Sequence, residues 1–191
     1  MNPFEIFRKW QREELAVSNM AIPKACCLST IGLDGFPNAR FLELKDVIDD
    51  KFIITGPTSS RKGEEIEASD KVAITCWWTA TERQIRIQGR AIKIANELAD
   101  EYFYKRSIES QIISKVSKQG LVIENIETLL TEIEDFKEHQ KEAKIQRPKH
   151  WSGYAVAPVR IEFLTFSKTR FHNRQLFELT RDVWKESLLQ P

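Results

Sequence analysis

The chain has 191 residues, 29 of them Lys or Arg and 28 Asp or Glu, for a formal net charge of +1. That length suits one domain, 1–191, able to bury roughly 70% of its unfolded surface. The balanced charge gives no global field for nucleic acid or a membrane surface, so any anion recognition is local. The opening "MNPFEIFRKWQREEL" mixes charges into its first turns, which predicts neither a leader nor a membrane span and makes the cytoplasm the expected location. Asn2 is placed to cap a helix beginning at Pro3, with Phe4, Phe7 and Trp10 as its apolar stripe.

Five β-rich runs follow: "ACCLSTI", "NARFLELK", "KFIIT", "KVAITCWW" and "RQIRIQGRAIKI". Turn signals such as Asp34-Gly35 and Asp49-Asp50 separate them, as an antiparallel sheet or small barrel requires. In the last run Ile85 and Ile87 are apolar at odd positions and Ile92 and Ile94 at even ones, so the phase slips near Gly89 and predicts a bulge. Between strands, "SSRKGEEIEAS" reads as a short helix. After residue 95, "NELADEYFYKRSIESQIISKVS" and "IENIETLLTEIEDFKEHQKEAK" are helical, the second with Ile126, Leu129, Leu130, Ile133 and Phe136 at a helical period. "QRPKHWSGY" breaks the helix, and "AVAPVRIEFLTF" and "QLFELTRDVWKESLLQP" return to strand. The fold class is mainly β with helices (α+β), a small barrel with flanking helices inserted late.

Three cysteines, Cys26, Cys27 and Cys76, are odd in number and two are neighbours, so they read as buried thiols. His139, His150 and His172 are scattered and offer no metal-ligand spacing. Other residues suggest anion chemistry. Ser59 or Ser60 would cap the short helix, which puts Arg61 and Lys62 in a first turn where the helix dipole disfavours cations. A bound phosphate would reverse that sign; the alternative is that both long side chains bend away into water. Tyr102, Arg106 and Ser110, spaced i, i+4, i+8, would share a helix face able to line a phosphate monoester, or simply a solvated face. Arg40 and Lys45 lie at opposite parity on one strand and could serve one site only through twist or a strand end. Gln84 shares a polar strand face with Arg86 and Gln88, and Trp151 reads locally as a packing aromatic. In "TRFHNRQLF", Arg170, His172 and Arg174 would line one face if the segment is extended.

The segments "ARFLELK", "SSRKGEEI", "ERQIRIQG", "YFYKRSIESQI", "VSKQ", "HWSGY" and "RFHNR" together resemble the pyridoxine/pyridoxamine 5'-phosphate oxidase family, in its order and with similar gaps. The resemblance implies an FMN-binding split β-barrel, homodimeric, with FMN at the subunit interface and a phosphorylated B6 vitamer as substrate. Arg40, Arg61, Lys62, Gln84, Gln119, Trp151 and Arg174 match positions that hold FMN, Arg61 and Lys62 at its phosphate, with Thr55 and Gly56 aligned just before that pair. Lys45, Tyr102, Arg106 and Ser110 match the substrate-phosphate pocket, Lys45 counting with the cofactor set as well. Arg170 and His172 match the catalytic pair over the pyridine ring.

Several positions depart from the family pattern. Asn173 replaces a carboxylate and Phe171 a leucine in the R-L-H-D-R segment, Gly120 stands where a serine is common, and Glu43 interrupts an apolar strand. The implied reaction is hydride transfer from C4' of pyridoxine or pyridoxamine 5'-phosphate to the flavin, with O2 as acceptor and H2O2 and pyridoxal 5'-phosphate as products. Two alternatives stand beside it: an FMN oxidase of another aromatic, of the dihydrophenazine type, and a non-catalytic FMN- or pyridoxal phosphate-binding protein.

Overall fold

The computed structural model describes residues 2–139 and 144–191. In chain order the elements among them are α1 (Pro3–Val17), β1 (Ala25–Ile31), β2 (Pro37–Glu43), β3 (Asp46–Ile48), β4 (Lys51–Pro57), α2 (Arg61–Ala68) and β5 (Lys71–Trp78). Then come β6 (Arg83–Lys93), α3 (Asn96–Tyr104), α4 (Ile108–Val116), α5 (Ile126–His139), β7 (Trp151–Thr165), β8 (Asn173–Thr180) and β9 (Val183–Leu189).

Helix α1 starts as its sequence dictates: the Asn2 side chain accepts a bond from the Phe4 amide at 2.9 Å, and Pro3 occupies the first turn. Its Phe4 and Phe7 are buried against Phe52, Trp78 and Trp184. Truncating a phenylalanine so enclosed costs ~3–5 kcal/mol. The buried Glu14 carboxylate, near the other end of α1, accepts from the Ala80 and Thr81 amides and the Thr81 hydroxyl, locking the helix to the β5–β6 turn.

The strands form one antiparallel sheet in the order β2-β1-β5-β6-β7-β4-β3, with β8 also on β7 and β9 on β8. Alternation sends Leu28, Ile74, Ile85, Ile87, Phe52 and Val156 to the inner face. The sheet rolls up until its ends meet. The Leu44 amide donates to Lys24 O beside β1 at 2.9 Å, and the next amide, Lys45, donates to Ile53 O on β4 at 2.9 Å. Two consecutive amides thus stitch opposite sides of the sheet, the seam of a barrel.

Strand β7 is the spine. Its first half pairs with β4, from Pro57↔Trp151 to Phe52↔Val156, its second with β8, from Arg160↔Glu178 to Thr165↔Asn173, while β6 follows both halves. The register shifts between Gln88 and Gly89, close to where β7 changes partner, so the bulge lies where the phase slip predicts it.

Three expectations need correction. The helical run 96–117 breaks after Tyr104, because Ser107 caps a second helix by accepting from the Ser110 amide and Gln111 Nε2 donates to Arg106 O at 2.9 Å. The three-residue β3 had no alternation long enough to read. In α5 only Ile133 and Phe136 reach a core, that of Phe103, Ile112 and Trp151, while Ile126 and Leu130 are exposed; residues 140–143 of the predicted helix lie outside the described ones. Cys26 and Cys76 are buried and Cys27 half-buried, all as free thiols. No helix among the described residues is long and apolar enough to cross a membrane.

Candidate active site

At the Trp151 end of β7 a cavity of ≈340 Å³ is lined by Arg40 from β2, Thr55 and Gly56 from β4, Lys62 from α2, Arg106 from the α3–α4 break and Gln119 after α4. Six of the positions singled out in the sequence therefore meet. Lys62 decides the chemistry. Its Nζ donates to Ser60 Oγ at 2.9 Å and Gln119 Oε1 at 2.8 Å, both neutral, and no carboxylate among the described residues pairs with it. Burial, then the neighbouring Arg40 charge, push its ammonium down to about 8. Gly56 makes room for it: a Cβ there would sit 3.2 Å from Lys62 Cε and Nζ. Burial likewise lowers the Arg106 guanidinium, which lies 5.0 Å over the Trp151 ring.

Arg61 turns the other way. Its Nε donates to Glu65 at 2.9 Å and its NH2 to Asp34 at 3.1 Å, and it lines a neighbouring hollow with Ser59 and Gly120. The Ser60 side chain does not cap α2; its hydroxyl donates to Pro57 O at 2.7 Å. The break after Tyr104 also corrects the single face expected for Tyr102, Arg106 and Ser110. Arg106 reaches the Ser110 carbonyl at 3.2 Å, and Ser110 Oγ sits 3.0 Å from Ser107 Oγ. Burial pushes the Tyr102 hydroxyl up to about 12, helped by Asp46 and Glu101, so it is a neutral donor. Lys45 lies beyond the end of β2, at the seam, paired with Glu43, and is not among the residues that line the cavity with Arg40. Trp151 is fully buried, with its Nε1 lacking a partner, and serves as a floor under Arg106.

The remaining positions gather at the opposite end of β7. Gln84 lies half-buried opposite Leu164, and Asn173, the first residue of β8, opposite Thr165. Arg170 is not extended: its φ of +67° and its amide bond to Ser167 O put it in a turn before β8, so it does not alternate with His172 and Arg174 on one strand. No alternation rule reveals a left-handed residue inside a polar segment. His172 Nδ1 accepts from the Ser167 amide at 3.1 Å, and its ring packs on Phe166 at 5.0 Å. Arg174 donates to Glu162 Oε1 from Nε at 2.9 Å and NH2 at 2.6 Å, while Arg86 holds the other oxygen at 3.1 Å. From Ser152 to Thr165, β7 spans roughly 40 Å if fully extended at ~3.3 Å per residue. One protomer thus places the sequence-predicted positions in two separate groups, one toward each end of β7.

Sequence reasoning missed Glu65, Thr30, Asn38 and Glu162. The only available sign was the i, i+4 spacing of Arg61 and Glu65 on a predicted helix. Gly120 has a φ of +90°, a left-handed conformation that glycine adopts freely and serine resists.

Two family descriptions match the chain in succession: "Pyridoxamine 5'-phosphate oxidase" over residues 14–140 and "Pyridoxine 5'-phosphate oxidase C-terminal dimerisation region" over 151–191. The chain belongs to the pyridoxamine 5'-phosphate oxidase family. Curated relatives named pyridoxine/pyridoxamine 5'-phosphate oxidase include one from Trichormus variabilis, 36% identical over the whole chain and 89% of its own length. Another, from Pelagibacter ubique, is 35% identical over the whole chain and 92% of its own length. Among solved structures, PhzG from Burkholderia lata in complex with tetrahydrophenazine-1-carboxylic acid superposes with a TM-score of 0.93 at 26% identity, over the whole chain and 93% of its own. A pyridoxamine 5'-phosphate oxidase-related, FMN-binding protein from Nostoc punctiforme has the same fold, with TM-score 0.82 at 15% identity over the whole chain and 98% of its own. The split-barrel architecture expected from the sequence is thus shown, as is membership in a family of oxidoreductases.

Proposed function

We propose that this family member is a homodimeric, FMN-dependent oxidase of pyridoxine or pyridoxamine 5'-phosphate. The observation that carries the reading is the Lys62 ammonium, desolvated beside Arg40 in a cavity shared with Arg106 and without a carboxylate among the described residues. A cation so placed is costly until an anion arrives. The donor set suits a phosphate monoester: an ammonium, a helix N-terminus and the Gln119 amide would grip the cofactor phosphate, with Arg40, Thr55 and Gly56 beside it. Arg61, held by Glu65 and Asp34, would act there through the field rather than by direct contact. Arg106, Tyr102, Ser110 and Lys45 would take the substrate phosphate, with Trp151 supporting Arg106.

The separation of the two groups, read as half-sites, by the length of β7 supports a dimer, in which the turn carrying Arg170 and His172, with Gln84 and Arg174, completes the cavity of a second copy. The stretch matched as a dimerisation region, 151–191, contains three of those four residues. We take the chain as one domain, since β7 in that stretch pairs with β4 and β6 of the other.

When bound, FMN would supply the redox chemistry, as acceptor of a hydride from C4' of the vitamer and donor of two electrons to O2. The protein positions and polarises. His172 Nδ1 accepts the Ser167 amide, which leaves Nε2 as the ring nitrogen able to donate to a ligand. Arg170, free of ion pairs among the described residues, would lie against the pyridine ring. The test is a visible spectrum of purified protein, followed by pyridoxamine 5'-phosphate without oxygen. Flavin bands that bleach, and peroxide formed on readmitting air, support the reading. A colourless protein that takes up no FMN overturns it, and a flavoprotein that no B6 phosphate bleaches restricts it to binding.

The likeness to PhzG favours a second reading, oxidation of a reduced phenazine-type aromatic. Bleaching by a dihydrophenazine carboxylate in preference to the phosphorylated vitamer would establish it.

A further inference from the structure

Glu65 is completely buried in α2 and has all its acceptor positions filled. Its Oε1 accepts from Asn38 Nδ2 and Arg61 Nε, each at 2.9 Å; its Oε2 accepts from Thr30 Oγ1 at 2.5 Å and Arg40 NH2 at 2.9 Å. Thr30 closes a ring, since its hydroxyl also accepts from Arg40 NH1 at 2.6 Å. One carboxylate thereby ties the helix that carries Lys62 to strands β1 and β2. Burial alone would raise its pKa, but the bonds from Thr30, Asn38, Arg61 and Arg40 outweigh that and bring it to about 2. It stays ionised at any working pH.

The charge pattern follows. Arg40 and Arg61 are matched by Glu65 and Asp34, so the cavity-lining cations without carboxylate partners among the described residues are Lys62 and Arg106. We infer that Glu65 is a positioning residue of the anion cavity: it sets where Arg40 and α2 stand and cancels charge that would otherwise bear on Lys62. This rests on the reading of the cavity as the FMN-phosphate site. Without the carboxylate, Arg40 would be unmatched, its guanidinium would lose its anchor, and its full repulsion would fall on Lys62. Among the described residues, Arg106 lines the same cavity as Lys62, Arg61 on its own helix turns away to Glu65 and Asp34, and Ser60 and Gln119 are neutral.

The experiment titrates flavin-free wild type, Glu65→Gln and Thr30→Val with FMN, following flavin fluorescence from pH 6 to 9.5. Wild-type affinity is expected to fall as pH rises through about 8, where Lys62 loses its proton. Glu65→Gln should bind FMN roughly tenfold or more weakly, the scale of one charge-assisted contact, and the pH midpoint should move to lower pH. A purely architectural glutamate would lower affinity and stability without moving that midpoint. Thr30→Val, nearly isosteric and neutral, should weaken binding by a smaller factor and leave the midpoint unchanged, and it serves if Glu65→Gln does not fold. Wild-type affinity and midpoint in a folded Glu65→Gln, or wild-type affinity in a folded Thr30→Val when Glu65→Gln does not fold, overturn the inference. A wild type that ignores FMN overturns instead the reading of the cavity.

Discussion

Replacing Lys62 by methionine separates a functional charge from a structural one. The drop of the Lys62 ammonium from its ordinary 10.5 to about 8 corresponds to ~3 kcal/mol of penalty on the charged form at neutral pH. Methionine removes the penalty and fills similar space, but gives up the bonds to Ser60 Oγ and Gln119 Oε1, which return ~1 kcal/mol. Flavin-free Lys62→Met is therefore expected to be more stable than wild type by about 1–2 kcal/mol, some 2–8 °C in Tm for a chain of this size. The pH dependence has a definite sign. Between about 8 and 10.5 the unfolded chain holds the Lys62 proton and the folded chain does not. Wild-type stability gains on the variant as pH rises through that window, and the advantage is gone at its upper end. FMN affinity moves oppositely, falling roughly 10- to 150-fold for the loss of one charge-assisted phosphate contact. Scanning calorimetry of flavin-free protein at pH 7 and pH 10, paired with FMN titration, measures both. A variant that is less stable at pH 7 and binds FMN as wild type does would refute the assignment.

Arg170→Ala should keep its flavin absorbance while kcat/KM for pyridoxamine 5'-phosphate drops about a hundredfold or more, as for a group that acts on the ring and not on the cofactor; equal loss of absorbance and activity would contradict that division. Mixing and refolding inactive Arg106→Ala with inactive Arg170→Ala should restore about a quarter of wild-type activity, because half the dimers are mixed and one of their two sites is intact. No recovery, with heterodimers confirmed by native mass spectrometry, would place both residues in the same half-site. Tyr102→Phe removes a neutral donor and should raise KM several-fold with flavin content unchanged, measured by oxygen uptake.

Local rules carried the reading of the fold a long way. Alternation over seven or eight residues defines β1 and β5, the continuous apolar run Phe52–Ile54 marks β4, the parity change at Gly89 marks the bulge, and Asn2-Pro3 fixes the start of α1. The failures are equally physical. Residues 102–110 have helix-forming composition throughout, and the break appears only because Ser107 and Gln111 bond to backbone groups that a continuous helix would have used. Arg170 sits in a left-handed turn that its residue type does not announce. Local reading brought Arg40, Lys62 and Arg106 into consideration, and the family resemblance added Gln119. Their ion-pair status could not be read, since it depends on Glu65 and Asp34 arriving from other elements.

That status divides the basic residues by role. Each end of β7 contains a buried carboxylate shared between two guanidiniums: Glu65 with Arg40 and Arg61, and Glu162 with Arg86 and Arg174. Such a cluster is satisfied internally and gains little from an added anion, because its desolvation cost is already offset. Among the described residues, Lys62 and Arg106 have hydrogen bonds only to neutral groups, in a cavity that has already removed much of their water. Their cost is borne by the flavin-free fold and recovered only with a ligand. Adding a carboxylate there, as in Gln119→Glu next to Lys62, should raise the thermal stability of flavin-free protein and abolish FMN binding together. Stability and binding that rise together would show that the bare ammonium is not what the site is built around.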